Sequence, residues 1–164
     1  FLVSMEMDLS KTDYADPDYK KYIYGSAEVV GLMCLKVFCD GDESKYQKLL
    51  IPAKHLGSAF QKVNFLRDIK SDFDERGRVY FPGVDFNSFT SEEKKLIEAD
   101  IKGEFKEALV GIRGLPKGVR GGVYLAYIYY YYSHDPETAS KYYKIASAND
   151  DALDGAKVMA AIMQ

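Results

Sequence analysis

Gln61-Lys62-Val63-Asn64-Phe65-Leu66-Arg67-Asp68-Ile69-Lys70-Ser71-Asp72 decides how this chain is read. At about 100° per residue, Gln61, Asn64, Asp68 and Asp72 fall in one narrow stripe of a helix. Two carboxylates one turn apart can share a hard divalent cation. Mg²⁺ takes oxygen ligands, commonly one or two carboxylates together with phosphate oxygens of a substrate. The amides of Gln61 and Asn64, on the same face, can hold a phosphate or a metal-bound water. The stripe therefore suits Mg²⁺ and a diphosphate, with Asn64, Asp68 and Asp72 as candidate metal ligands. The plain structural reading is a solvated outer face. Against it, such faces favour Lys and Glu over Asn and Asp, which are poorer helix formers. Gly57, on the same stripe, costs about 1 kcal/mol relative to Ala in mid-helix, which implies close approach by another group.

Working outward, Pro52 marks the expected start of this helix and Phe73 its approximate end. Leu56, Ala59, Val63, Leu66 and Phe73 form its apolar side. Asp16-Pro17 signals an earlier helix start, with an acid at the cap and Pro in the first turn. Ile23, Ala27, Val30, Cys34 and Val37 then recur at spacings of three and four, the expected buried stripe of a helix reaching Phe38. Residues 74–89 read as a loop. Thr90-Ser91-Glu92-Glu93 is a capping box that opens a helix ending near Gly111–Gly114. Pro116 opens another through Tyr132, Asp135-Pro136 repeats the cap-plus-Pro signal, and a last helix is expected over Asp151–Met163. No strand alternation stands out. The expected fold is all-α, a single unit over residues 1–164 with helices joined by short turns.

At 164 residues the chain is long enough for one domain with a real core. A net charge of −3 gives no sign of nucleic-acid binding. Fourteen Tyr with no Trp is unusual, and Tyr suits half-polar cavities where the ring packs and the hydroxyl finds a partner. The two Cys, Cys34 and Cys39, point to different faces of one helix, so no disulfide is implied and a reducing, cytoplasmic compartment fits. No membrane-length apolar run is visible. The chain begins Phe-Leu-Val in what reads as mid-helix, so it is expected to be a fragment or a processed product.

Gln-x-x-Asn-x-x-Arg-Asp-x-x-x-Asp, followed by Gly77-Arg78-x-Tyr80-Phe81-Pro82, resembles the second aspartate-rich motif of the squalene/phytoene synthase family. Met5-x-x-Asp8-Leu9 is similar to that family's Met-x-x-Asp-Leu segment. Tyr22-x-Tyr24-Gly25-Ser26-Ala27-x-x-Val30-Gly31 is similar to its Tyr-x-Tyr-x-x-Ala-x-x-Val-Gly helix, and Ala126-x-Ile128-Tyr129 to its late helix. The wording is closest to bacterial phytoene synthases and fades after Tyr132. Ser71 stands where the family usually has an acid, and residues 148–151 are acidic where it usually carries a basic stretch. The family's first aspartate-rich motif is not found in this chain.

The resemblance implies the helical isoprenoid synthase fold and head-to-head joining of two prenyl diphosphates, geranylgeranyl diphosphate first among them, with Mg²⁺. It implies Asp68 and Asp72 as metal ligands, and Gln61 and Asn64 as groups orienting diphosphate or metal-bound water. Arg67, Arg78, Tyr80 and Tyr129 would add donors. Tyr22, Ser26 and Ala53 would line the prenyl channel. Ala53 precedes Asp68 by fifteen residues, about 22 Å along a helix, which is a suitable span for a long tail. Both carboxylates are expected to face that cavity. An apolar product also implies an option of peripheral membrane contact. With one acidic face, the chain alone is expected to be inactive. Each residue has a plainer reading: Arg67 pairing with Asp68 or Ser71, Arg78 anchoring the loop through Asp72 or Asp74, Tyr80 packing the loop, Asp8 ending a helix. Two further readings compete, a non-catalytic helical assembly or interaction module of the same family, and a head-to-tail prenyl diphosphate synthase. The Gly-Arg-x-Tyr-Phe-Pro segment is not expected in the latter.

Overall fold

The computed structural model describes residues 1–131, in which six α-helices pack with no strand among the described residues. The helices are α1 (Leu2–Ser10), α2 (Asp16–Ile23), α3 (Val29–Phe38), α4 (Glu43–Arg76), α5 (Ser91–Gly114) and α6 (Lys117–Tyr131). The all-α expectation holds. The helices expected beyond Asp135 lie outside the described residues.

Helix α4 is the axis of the fold, and it starts earlier than Pro52 suggested. Asp42 caps it, its side chain accepting from the Lys45 amide at 2.9 Å, and Pro52 sits inside it. An interior proline loses one backbone hydrogen bond and costs about 3 kcal/mol in an isolated helix. Here the ring is also a packing surface. Gly111 of α5 lies so close that a methyl group there would overlap it, and a methyl on Gly114 would come within 2.8 Å of Leu49. At the other end α4 passes Phe73 and stops at Gly77, whose φ of 61° is the left-handed conformation that glycine adopts without penalty. The expected apolar side is confirmed at Ala59, Val63 and Leu66, all buried. The capping box of α5 is also present: Thr90 Oγ1 accepts from the Glu93 amide, and the Thr90 amide donates to Glu93 Oε2 at 2.7 Å.

The stripe expected to be buried between Ile23 and Val37 is displaced. Residues Tyr24–Glu28 form a π-helical segment joining α2 to α3, in which the Val29 amide reaches back to the Tyr24 carbonyl. One extra residue in a turn rotates everything after it by about 100°. The buried positions therefore move on by one. Leu35 is 3% exposed while Val37 is 75% exposed. Phe38 packs on the core, and Cys34 is exposed.

The same segment crosses α4 at backbone distance. A methyl group on Gly57 would lie 2.7 Å from the Ala27 carbonyl oxygen, and one on Gly31 would lie 2.9 Å from that of Ala53. This is the close approach that Gly57 implied. On the α5 side, Lys62 is buried between α4 and α5. Its Nζ donates to Asp100 Oδ2 at 2.6 Å and to Glu104 Oε1 at 2.7 Å, and Ser58 and His55 complete the contacts of Glu104. Burial alone would push the Glu104 carboxyl up, but Lys62 and His55 outweigh it and hold it low.

The crossing sets the first prediction. Gly57→Ala should lower stability by about 1–3 kcal/mol, the usual cost of forcing extra volume into a packed contact, although Ala is the better helix former. Urea denaturation followed by far-UV circular dichroism would show it. An unchanged or higher midpoint would mean that the π segment and α4 do not meet at this glycine.

Candidate functional site

Helices α3–α6 and the π segment enclose a cavity of about 620 Å³, within the size range of small-molecule sites. Its walls are small or aliphatic: Gly31, Ala53, Leu56 and Gly111 are typical. Ala27, Val30 and Cys34, expected in a solid core, line this space instead, and Val30 is 41% exposed at its edge. Polar groups collect toward one end. Ser26 and Gln61 line it, and the side-chain oxygens Ser26 Oγ and Asn64 Oδ1 are buried without a protein hydrogen-bond partner. Such groups cost free energy unless something else satisfies them.

The structure brings only some of the expected residues to this cavity. Ser26, Ala53 and Gln61 line it; Tyr22 does not. Asp68 and Asp72 continue the stripe about two and three turns beyond Gln61, past the cavity lining. The Asp68 carboxylate is held in two bonds by Arg67, at 2.8 and 2.7 Å, and these hydrogen bonds keep its carboxyl below the usual range. Asp72 is buried and accepts from Arg76 at 2.6 Å. Among the described residues no three or more His, Cys, Asp or Glu side chains gather closely enough to hold a metal by themselves. The donors that exist are two carboxylates and the orphaned Asn64 oxygen. That set fits Mg²⁺ shared with a ligand's phosphate oxygens, and does not fit an all-protein metal cage. Tyr129 belongs to α6, and its side chain lies outside the described residues.

Tyr22, Tyr80 and Arg78 meet elsewhere, around Asp8. The Asp8 carboxylate accepts from the hydroxyls of Tyr22 at 2.8 Å, Tyr14 at 3.0 Å and Tyr80 at 3.2 Å. Arg78 approaches the same carboxylate at 3.7 Å and donates to the Asp8 backbone carbonyl. Phe65 of α4 stacks on Tyr80 with centroids 4.1 Å apart, and Tyr14 also stacks on Tyr80, at 5.0 Å. Burial, then the bond to Asp8, pushes the Tyr22 and Tyr14 phenols well up, so both stay protonated donors. Asp8 is therefore no mere helix-end acid, and Arg78 pairs with it rather than with Asp72 or Asp74. Tyr22 turns from the channel because its buried hydroxyl needs an acceptor and Asp8 supplies one. Met5-x-x-Asp8-Leu9 together with the high Tyr content was the signal for this box.

A family model described as squalene/phytoene synthase matches residues 1–112, more than half of the chain. The chain belongs to the squalene/phytoene synthase family. The matched span runs from α1 into α5 and so includes the Asp8 box, the π segment and the whole Gln61–Asp72 stripe; α6 lies beyond it. No individual curated protein matches the chain. The family's reaction is head-to-head condensation of prenyl diphosphates, generally with Mg²⁺ and aspartate-rich motifs.

The Asp8 box should be structural. Asp8→Ala would orphan three phenol hydroxyls and leave Arg78 without its carboxylate, for a loss of about 3 kcal/mol. Tyr14→Phe, which removes one donor and keeps the ring, should cost about 1 kcal/mol. Denaturation midpoints for the two variants test this, and equal midpoints for wild type and Asp8→Ala would refute the box as a source of stability.

Proposed function

We propose that this chain holds one prenyl diphosphate of a phytoene synthase-type head-to-head condensation, with geranylgeranyl diphosphate as the favoured substrate. The observation that carries the proposal is a single path. Ser26, with its unpartnered oxygen, and Gln61 line the apolar cavity, and the Gln61 face of α4 continues beyond that lining to the unpartnered Asn64 oxygen, Asp68 and Asp72. An apolar tail with a charged diphosphate head matches that sequence of environments.

Ala53, Gly31 and Gly111 give the tail room and exclude water from it, which protects an allylic cation once the diphosphate leaves. Ser26 and Gln61 orient the ester end. Asn64, Asp68 and Asp72 would hold Mg²⁺ together with the phosphate oxygens. When bound, Mg²⁺ supplies positive charge where the leaving diphosphate builds up negative charge. Arg67, more than half exposed beside Asp68, gives a further cation at the same place. Tyr22, Tyr80 and Arg78 support the site at one remove, by fixing α1, α2 and the segment after α4 around Asp8.

Joining two prenyl diphosphates needs a second acidic wall facing Asp68 and Asp72, and the chain's sequence carries no such motif. We therefore assign it one substrate's worth of binding and no condensation on its own. The competing module reading draws on exposed apolar residues such as Leu2, Leu9 and Met33, which would suit a partner or a membrane surface. Among the described residues no helix is long and apolar enough to cross a membrane.

Isothermal titration with geranylgeranyl thiodiphosphate, a slow-reacting analogue, separates these readings. Binding should require Mg²⁺, and Asp68→Asn should weaken it by about tenfold or more while leaving the melting temperature nearly unchanged. The Arg67–Asp68 pair is exposed and worth at most about 1 kcal/mol to stability. Equal affinity in EDTA, or in the variant, would overturn the assignment of Asp68.

A further inference from the structure

Of the described residues that line this cavity, only Ser26 and Gln61 carry a side-chain oxygen. Ser26 sits inside the π segment, where the Val29 amide reaches back five residues to the Tyr24 carbonyl. A helical serine commonly turns its hydroxyl onto the carbonyl four residues earlier. Ser26 does not: its Oγ is buried and has no hydrogen-bond partner in the protein. The buried Ser58, by contrast, donates to Glu104 at 3.0 Å. A buried hydroxyl left unbonded costs about 1–3 kcal/mol. Ser26 is therefore built to bond a molecule inside the cavity. π-Helical turns recur at functional sites for this kind of reason, since they aim a side chain that a regular helix would turn elsewhere.

We propose that the chain hydrolyses an allylic prenyl diphosphate to the prenyl alcohol and inorganic diphosphate, with Ser26 presenting the attacking water. This rests on the prenyl diphosphate reading above. Gln61 precedes Asp68 by seven residues, about 10 Å along α4, so a diphosphate held at Asn64 and Asp68 puts the first carbon of its tail near the level of Gln61 and Ser26. A water in a cavity takes about 30 Å³ and needs two to four polar partners. The cavity of about 620 Å³ has the room, and Ser26 and Gln61 are two such partners. The Ser26 hydroxyl accepts twice and donates once, so it can hold the water by an O–H and leave a water lone pair free for carbon. The first carbon loses its bond to the diphosphate oxygen, and both electrons leave with the diphosphate. The water oxygen bonds that carbon, and its surplus proton passes to a diphosphate oxygen. Condensation would need a second prenyl group to attack the same carbon. The chain binds one, so water is the nucleophile within reach.

The test incubates the chain with geranylgeranyl diphosphate and Mg²⁺ in ¹⁸O-labelled water. The expected products are the prenyl alcohol and inorganic diphosphate, with the label in the alcohol by mass spectrometry. Ser26→Ala should slow alcohol release by about tenfold or more, because the water loses its anchor. Ser26→Thr keeps the hydroxyl and should stay within about threefold of wild type. Titration with geranylgeranyl thiodiphosphate separates this role from simple binding: the Ser26→Ala loss should fall on the rate of release far more than on affinity. Label found in phosphate marks cleavage of the P–O bond and would overturn the proposal. Alcohol release at the wild-type rate in Ser26→Ala would overturn it too. A chain that binds the thiodiphosphate with Mg²⁺ but forms no alcohol would overturn the hydrolysis and leave the diphosphate reading standing. Absence of binding by the wild-type chain would overturn both.

Discussion

The fold depends on one crossing, where the π segment and the start of α3 lie across α4 backbone to backbone. Ala27 O against Gly57, and Ala53 O against Gly31, leave no room for a side chain at either glycine. A helix pair normally keeps its axes 8–10 Å apart because side chains intervene. Here small residues remove that spacing on one side. The extra residue of the π segment then turns the apolar stripe of α3 so that Leu35 enters the core, while Ala27, Val30 and Cys34 look across an open space toward α5 and α6. The cavity follows from that geometry. Two helices touch closely at one level, diverge, and the gap is edged by α5 and α6.

Two polar clusters hold this arrangement from either side. Around Asp8, three phenols and an arginine join α1, α2 and the segment after α4. Between α4 and α5, Lys62 binds Asp100 and Glu104, and the Glu104 carboxylate also engages Ser58 and His55. Both clusters are internally satisfied, as buried charges must be if they are not to unfold the protein. The unsatisfied oxygens, Ser26 Oγ and Asn64 Oδ1, lie instead at the cavity and on the stripe that leaves it. That contrast separates the framework of this molecule from its binding site.

The sequence carried the all-α class, the capping box at Thr90, the apolar side of α4 and the closeness implied by Gly57. These are local signals: periodicity, cap chemistry and the cost of glycine in a helix. Ser26 and Ala53, which the family resemblance implied as channel residues, line the cavity, as does Gln61, which it implied as a group orienting the diphosphate. Three features were hidden because tertiary contacts decide them. Pro52 reads as a helix start, yet the Asp42 cap and packing against Gly111 let α4 run through it. The stripe from Ile23 to Val37 assumes an unbroken period of 3.6, and the π segment, which holds the Gly25-Ser26 pair, breaks that period. Tyr22 reads as a channel residue until the acceptor at Asp8, fourteen residues away in sequence, is known. Lys62 gave no signal at all, since a lysine inside a binding stripe reads as a solvated residue until its two acidic partners on α5 are seen.

The central claim is that one continuous path, apolar at Gly122 and Ala53 and oxygen-rich at Asn64, Asp68 and Asp72, receives a single prenyl diphosphate. A crystal structure of the chain with geranylgeranyl thiodiphosphate and Mg²⁺ tests it most directly. The account predicts density for the tail between Gly31 and Gly122, with the diphosphate and metal against Asn64, Asp68 and Asp72. A tail lying on the exposed surface of α1 or α3, or a diphosphate bound away from the α4 stripe, would contradict it.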